Sequence, residues 1–307
     1  SGSGQKAGPR FYLKADMPNI KDNRKVLKRQ LDLLYKTFDL KFLATDPLEF
    51  VHRYKTPEDR EIVGLVSSCL AYGRVETIKK SIEAVMGSVG PSPYRFTMRF
   101  DPSRDSSTFE GFIHRFNNGR DMRALFYFMR QMIKECGSIK GFFLKGYSSD
   151  ARNVKESLAS FSANALALDA EPVYHTKILP PKAGVRFFFP SPVGNSACKR
   201  LNLYLRWMVR RDDGLDFGIW KEVDPAKLIM PLDTHIARIS RNIGLTSRAT
   251  PDWKMAEEIT AALAAFDPSD PVKYDFALCR LGILEKCPPT MDRAKCESCL
   301  IKKLCVL

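Results

Sequence analysis

The fold is decided by the stretch Leu232-Asp233-Thr234-His235-Ile236-Ala237-Arg238-Ile239, which continues to Gly244. Apolar residues recur at intervals of three and four after Asp233, and Asp is a preferred residue just before the first turn of a helix. A glycine just past the last turn is a common stop. The stretch therefore predicts a helix that Asp233 caps. A carboxylate at a helix N-terminus is held ionised by the amide dipoles, so it is also suited to stand beside a developing positive charge.

Four cysteines follow this helix in a short loop, separated by eight, two and five residues: Cys287, Cys296, Cys299 and Cys305. Four thiolates so close in sequence can converge on one tetrahedral ion or one iron–sulfur cubane. The other four cysteines are scattered singly through apolar segments, and we see no signal peptide, which disfavours disulfides. The loop predicts a [4Fe–4S] cluster, with structural zinc as the alternative.

Composition points to a polyanionic partner. The 307 residues carry a formal net charge of +14 and a pI near 9.4, and a basic protein gains affinity for nucleic acid by releasing counterions from phosphates. Every apolar run is broken by charged residues before it could cross a bilayer. We therefore expect a cytoplasmic monomer that binds DNA and no membrane. A basic surface that is only solvated is the alternative.

The helical period dominates the chain, which predicts an all-α fold. Asp46-Pro47 and Thr56-Pro57 are typical of helix starts, and Pro172 to Pro192 reads as an irregular connector. The segment from Ala197 to Arg211 is predicted as a basic amphipathic helix. Helices are expected at 24–44, 61–71, 75–89, 121–136, 153–168, 197–211, 252–266 and 271–283.

Asp233 and the cysteine loop, in this order near the C-terminus, resemble the helix-hairpin-helix DNA glycosylase superfamily, in particular its endonuclease III-like, iron–sulfur-containing members. The gaps of two and five match the family's loop; the first gap is two residues longer, with Cys279 the nearby substitute for Cys287. A glutamine-containing segment of the family is replaced by Ala71-Tyr72-Gly73-Arg74. The chain is similar to a bacterial branch of the superfamily.

This resemblance implies a two-lobed helical fold with the DNA cleft between the lobes and a C-terminal four-cysteine cluster loop. N-terminal helices at 5–60 would pack with the C-terminal lobe. A helical lobe at 61–250 would carry a hairpin-like turn and the catalytic Asp, and residues 251–307 would hold the last helices and the cluster. The first four residues, Ser1 to Gly4, read as a cloning scar.

The same resemblance implies the site residues. Asp233 would be catalytic, and Lys199 would be the nucleophile, a phosphate contact or neither; neighbouring Arg200 and Arg206 would favour a neutral amine. The turn ending in Gly194, Asn195 and Ser196 would bind a phosphate through its amides, with the last two capping the helix, or would be an ordinary loop. The remaining DNA-binding candidates are Arg200, Arg206, His235, Arg74 and Tyr72. Candidates for the base pocket or an inserted side chain are Tyr72, Arg74, Trp207 and Trp220, with core packing as the alternative for the aromatics.

The function implied is a DNA N-glycosylase that flips a damaged or modified base into a pocket and cleaves its glycosidic bond. Asp233 would stabilise the oxocarbenium-like sugar. If Lys199 attacks C1′, the enzyme is also an AP lyase; if water attacks, the product is an abasic site. The competing hypothesis is a non-catalytic nucleic-acid-binding protein in which the metal is structural and Asp233 only caps.

Overall fold

The computed structural model describes residues 20–284, 287–288 and 290–305, and the four residues interpreted as a scar lie outside them. The described chain is mostly helical, which confirms the all-α class at the level of secondary structure. None of its helices combines the length and hydropathy that a bilayer span requires. The α-helices of the described residues are α1 Ile20–Thr37, α2 Leu48–His52, α3 Pro57–Cys69, α4 Val75–Val89, α5 Pro93–Arg99, α6 Gly119–Cys136, α7 Ile139–Leu144, α8 Lys155–Leu166, α9 Glu171–Tyr174, α10 Lys199–Val209, α11 Thr234–Asn242, α12 Trp253–Ala264, α13 Asp275–Ile283 and α14 Arg293–Glu297.

Short 3-10 helices lie between these elements, at Leu40–Thr45, Gly184–Phe188, Pro192–Gly194, Pro225–Lys227 and Lys302–Leu304. Two strands, β1 Ile113–His114 and β2 Asn117–Asn118, form a small antiparallel hairpin. The predicted connector between Pro172 and Pro192 is irregular apart from α9 and one 3-10 turn.

Capping chemistry sets several helix starts as expected. Thr56 precedes α3, its hydroxyl accepts the backbone N–H of Asp59 at 3.2 Å, and Pro57 occupies the first turn. Asp46 accepts the N–H of Leu48 at 2.9 Å just before α2. These two predicted starts are confirmed, because each polar side chain satisfies an amide that the helix leaves without a partner.

The centre of the fold is the pair α3 and α10, which pack against each other. A Cβ added to Gly64 would lie 2.8 Å from the Met208 methyl carbon, so the missing side chain lets the two helices approach. α3 is buried along most of its length, as its apolar sequence predicts. Glu61 lies in this interior, where its carboxylate accepts the Trp220 indole N–H at 2.8 Å and the Ile139 amide at 3.0 Å.

α10 is not the basic amphipathic helix that its sequence predicts. Every residue from Arg200 to Val209 is buried. Arg206 pairs with Asp216 and Asp275. Arg210 pairs with Asp213, Asp216 and Asp270. The prediction was wrong because the counter-charges come from distant loops and helices, which hydrophobic periodicity along α10 cannot show. α10 is therefore a central helix, and buried ion pairs with aspartates neutralise Arg206 and Arg210.

The C-terminal helices close one side of the molecule. α11 packs against α13, and α1 also contacts α13. A Cβ on Gly282 would lie 2.6 Å from the His235 Cβ, so a glycine is needed where α11 and α13 cross. α11 follows its prediction closely, with Gly244 just past its end at φ +74°.

Candidate active site

A cleft of about 890 Å³ brings together seven of the ten catalytic and DNA-binding residues that the sequence predicts. Its walls are the α3–α4 connection, the start of α10, the start of α11 and the cleft-facing side of α13. The predicted site residues that line it are Tyr72, Arg74, Lys199, Arg200, Arg206, Asp233 and His235. The cleft therefore gathers side chains that are up to 163 positions apart in sequence.

Asp233 is both a helix cap and a cleft residue. Its Oδ1 accepts the backbone N–H of Ile236 at 2.8 Å, which confirms the predicted cap of α11. Its Oδ2 lies 3.7 Å from the Sγ of Cys279, which donates to it. The carboxylate is only partly buried and lies on the cleft wall. The cap and the thiol fix the orientation of the carboxylate at the cleft surface.

Cys279 serves Asp233 as a hydrogen-bond donor. Burial, and then the negative charge of Asp233, raises the pKa of the Cys279 thiol to about 12. The thiol therefore keeps its proton at neutral pH and can donate it to the carboxylate. Arg280 donates to the same sulfur at 3.4 Å. The sequence indicates Cys279 only as a substitute ligand for the cysteine loop, since nothing in its apolar segment signals a partner at Asp233.

Lys199 is the first residue of α10 and is half-buried on the cleft wall. Its Nζ donates to the carbonyl oxygen of Ala71 at 2.9 Å, two residues past the end of α3. Cys198 precedes the helix in the left-handed region at φ 47°, without a side-chain cap. The amine thus shares the cleft with Asp233 and is held by one backbone carbonyl, from which it would have to part in order to attack a substrate.

His235 sits one residue into α11, also on the cleft wall. Its Nδ1 lies 3.2 Å from Nη2 of Arg238, so Nδ1 accepts and the ring proton is assigned to Nε2. Burial lowers the pKa of His235, and the charges of Arg238 and Arg280 act in the same direction while Asp233 opposes them. A neutral imidazole is the favoured form, with Nε2–H as its free donor.

Arg206 and Arg200 do not occupy the phosphate-contacting positions predicted for them. Arg206 is 2% exposed and bound by Asp216 and Asp275. Arg200 is 8% exposed; it donates to the carbonyl oxygens of Cys69 and Phe187. Both guanidiniums are therefore buried and held by protein acceptors at the base of the cleft.

Arg74 and Tyr72 lie where the chain leaves α3. Arg74 is exposed just before α4. The hydroxyl of Tyr72 lies 2.8 Å from the carbonyl oxygen of His114 and 2.7 Å from Oδ1 of Asn117, which ties this segment to the β1–β2 hairpin. The two remaining aromatic candidates, Trp207 and Trp220, are fully buried, so core packing is their role.

The hairpin-like turn lies away from the residues lining the cleft. Gly194 ends a 3-10 helix, and a Cβ there would meet nothing within 4 Å. Asn195, at φ 61°, donates from Nδ2 to Asp252 at 3.1 Å, which docks the turn on α12. Ser196 accepts the Cys198 N–H at 3.2 Å. Asn195 and Ser196 therefore do not cap α10 as predicted; the first faces α12 and the second stabilises the turn before the helix.

The four loop cysteines face one small cavity beneath α11 and α13. Cys287, Cys296, Cys299 and Cys305 all line it, together with apolar residues that include Ile239, Leu281 and Ile301. The eight cysteines of the chain form no disulfide. Burial raises the pKa of Cys299, and the nearby Cys287, Cys305 and Cys296 act in the same direction. Four cysteines around an apolar cavity are a donor type that suits a cationic metal centre, which would bind them as thiolates and release their protons.

No group of three or more His, Cys, Asp or Glu in the described residues is close enough to hold a single metal ion.

A direct link joins the cysteine loop to the cleft, because Arg238 donates from Nη2 to the carbonyl oxygen of Cys287 at 2.7 Å. The same Nη2 contacts His235. The backbone of the cysteine loop is thus connected to the helix that Asp233 caps.

Comparison with known families gives one match. Residues 46–284 match the family described as DUF2400, a protein of unknown function. The matched range covers α2 to α13 and includes every residue that lines the cleft except Ala44 and Thr45, while the cysteine loop follows it. No curated protein matches the chain.

Proposed function

The chain belongs to the DUF2400 family of proteins of unknown function, and we propose that it is a DNA N-glycosylase of the helix-hairpin-helix type that excises a damaged or modified base. The observation that carries this proposal is the placement of Asp233. One carboxylate oxygen caps α11, the other accepts the Cys279 thiol, and Asp233 lines a cleft of about 890 Å³ that Lys199 also lines. This geometry supports a carboxylate that is held in place and can still meet a ligand.

Excision requires the target nucleotide to leave the DNA duplex. Flipping costs a few kcal/mol, and least for a damaged or mispaired base. In the proposed complex the everted deoxyribose lies at Asp233, whose negative charge stabilises the oxocarbenium-like sugar as the base departs. Arg74, exposed at the rim, and the net charge of +14 favour the phosphate backbone.

Lys199 decides which reaction follows. If its amine leaves the Ala71 carbonyl and attacks C1′ as the C1′–N bond breaks, a Schiff base forms and the strand is nicked by elimination. If the amine stays on that carbonyl, water attacks and the product is an abasic site. Borohydride trapping distinguishes the two routes. The absence of an adduct with wild type would remove the lyase assignment, and an adduct that persists in Lys199→Ala would remove Lys199 as the nucleophile.

The cysteine loop would hold a [4Fe–4S] cluster through Cys287, Cys296, Cys299 and Cys305. Such a cluster would brace the loop, and the Arg238 contact supports the loop's attachment to α11. Zinc is the alternative occupant. A brown protein with broad visible absorption would exclude zinc as its main metal, since Zn²⁺ is d¹⁰ and colourless.

The direct test is a screen of purified protein against duplex oligonucleotides that each carry one damaged or modified base, read with and without alkali. We expect at least one substrate to yield strand breaks or alkali-labile sites with wild type and none with Asp233→Asn, at equal DNA affinity. An inert wild type that binds DNA would instead support a non-catalytic binding protein. That second function has one observation in its favour, because the Ile236 N–H already gives Asp233 a structural role.

A further inference from the structure

The β1–β2 hairpin presents an apolar tip to solvent beside the cleft. Its two strands pair Ile113 with Asn118 and His114 with Asn117, leaving Arg115 and Phe116 as the turn. Phe116 is 67% exposed and Ile113 is 75% exposed. Most large apolar side chains of the described chain are buried in one core, so two such residues on one short hairpin are unusual in this molecule.

The hairpin is held firmly from behind. The ring of His114 contacts the Ser81 hydroxyl at 2.8 Å through Nδ1. Asn117 donates from Nδ2 to Asp121 at 3.1 Å and to the carbonyl oxygen of Gly184 at 2.9 Å. These buried contacts fix both inward-facing side chains, which means that the outward-facing tip is presented with little freedom. Its exposure is therefore a property of a rigid element.

The tip is also continuous with the cleft. The Phe116 ring lies parallel to that of Tyr72, with centroids 6.1 Å apart, and edge-on to Phe187 at 5.6 Å. The guanidinium carbon of Arg115 lies 5.3 Å from the centre of the Phe116 ring. A Cβ on Gly73 would lie 3.2 Å from the Arg115 side chain. Because Tyr72 and Gly73 line the cleft, the tip forms an extension of its rim.

We propose that the Arg115–Phe116 tip is a base-stacking element that receives an unpaired base of the nucleic acid bound at the cleft; this inference rests on the proposed function. An aromatic face with an adjacent guanidinium suits a base and its phosphate, since any base offers a π-face and Arg offers the charge. The positive charges of Arg74 and Arg115 favour a polyanion over a basic or neutral protein surface, and the aromatic face of Phe116 suits a base.

The test is DNA binding by Phe116→Ala and Phe116→Trp. Alanine removes the ring, whereas tryptophan restores a larger one. The three native tryptophans, Trp207, Trp220 and Trp253, are each 0% exposed, so a tryptophan at position 116 would report on its own surroundings. Leu33→Ala, at an exposed apolar residue of α1 that is 44% accessible, is the matched control.

The probes are two labelled duplexes, one fully paired and one with a stable abasic-site analogue that leaves the opposite base unpaired. We expect Phe116→Ala to weaken binding to the abasic duplex by roughly 5- to 150-fold, which is the range for one lost base stack. Phe116→Trp should keep affinity within about threefold, and its fluorescence should be quenched by the abasic duplex more than by the paired one.

Equal affinity of wild type and Phe116→Ala for the abasic duplex would overturn the proposal. So would a change in oligomeric state of Phe116→Ala with unchanged DNA affinity, since the tip would then belong to a protein contact. Binding is measured without excision, so a failure of the proposed function, seen as an inert wild type in the lesion screen, is distinguishable from a failure of the stacking role.

Discussion

Arg206→Met tests whether α10 is a buried structural helix or a DNA-facing one. The guanidinium of Arg206 contacts Asp275 through Nη1 and lies 3.2 Å from Asp216 through Nη2, and its side chain is 3% exposed. Methionine keeps most of the length and volume but removes the charge. Asp216 retains Arg210 at 2.9 Å, whereas Asp275 loses its ion pair.

The expected loss of stability follows from leaving the buried Asp275 carboxylate without its ion-pair partner. Removing one partner of a buried pair destabilises a protein by about 3–5 kcal/mol. A chain of 307 residues has an unfolding entropy of about 0.65 kcal/mol per kelvin near its transition, at roughly 2.1 cal/mol/K per residue. The Tm should therefore fall by about 5–8 °C. Because the residue is buried, DNA affinity below the transition should change little.

Thermal denaturation and a salt titration of DNA binding measure both effects. The matched variant is Arg74→Met, at an exposed arginine on the cleft rim. We expect Arg74→Met to leave Tm within about 1 °C and to reduce the salt slope of binding by about one. If Arg206→Met left Tm unchanged and lowered the salt slope instead, the buried ion-pair network would be refuted.

Three further outcomes follow from local geometry. Gly282→Ala should destabilise the fold by about 1–3 kcal/mol in denaturant titrations, because its new Cβ would lie 2.6 Å from a carbon of α11, whereas Gly87→Ala, with open space around it, should be neutral or stabilising by about 0.5–1 kcal/mol. Cys299→Ser should lose most of the bound metal in elemental analysis, and Cys136→Ser should retain it, since only Cys299 of the two faces the four-cysteine cavity. Burial lowers the pKa of His114, so below about pH 6.5 the unfolded chain takes up a proton that the folded chain excludes; the free energy of unfolding should fall with acidification, and less steeply in His114→Gln.

Local chemistry made much of the fold predictable. The caps at Thr56 and Asp233 and the apolar run of α3 can each be recognised from a few consecutive residues, and both helices, α3 and α11, begin at the predicted caps. The helix expected at 75–89 also formed within those bounds, and Pro93, which follows its end, occupies the first turn of α5 because the proline ring suits that position.

The long-range part of the site was not predictable. Arg206 looks like a surface cation in its own helix, and only Asp275, which is 69 positions away, shows that it is buried. The thiol of Cys279 reaches Asp233 across 46 positions for the same reason. The sequence does not reveal the tip residue Phe116, because strands of two residues are too short to show the apolar and polar alternation that identifies a strand. Pairings set by tertiary packing leave no mark in a local pattern.

The most direct test of the account compares single-turnover base excision by Asp233→Asn and Asp252→Asn on the best substrate of the lesion screen. Both aspartates cap helices with the same geometry, accepting a backbone N–H at 2.8 Å, and asparagine preserves such caps. Only Asp233 lines the cleft. We predict that Asp233→Asn slows excision by about 100-fold or more while Asp252→Asn stays within about threefold of wild type. Excision by Asp233→Asn at the wild-type rate would contradict the account.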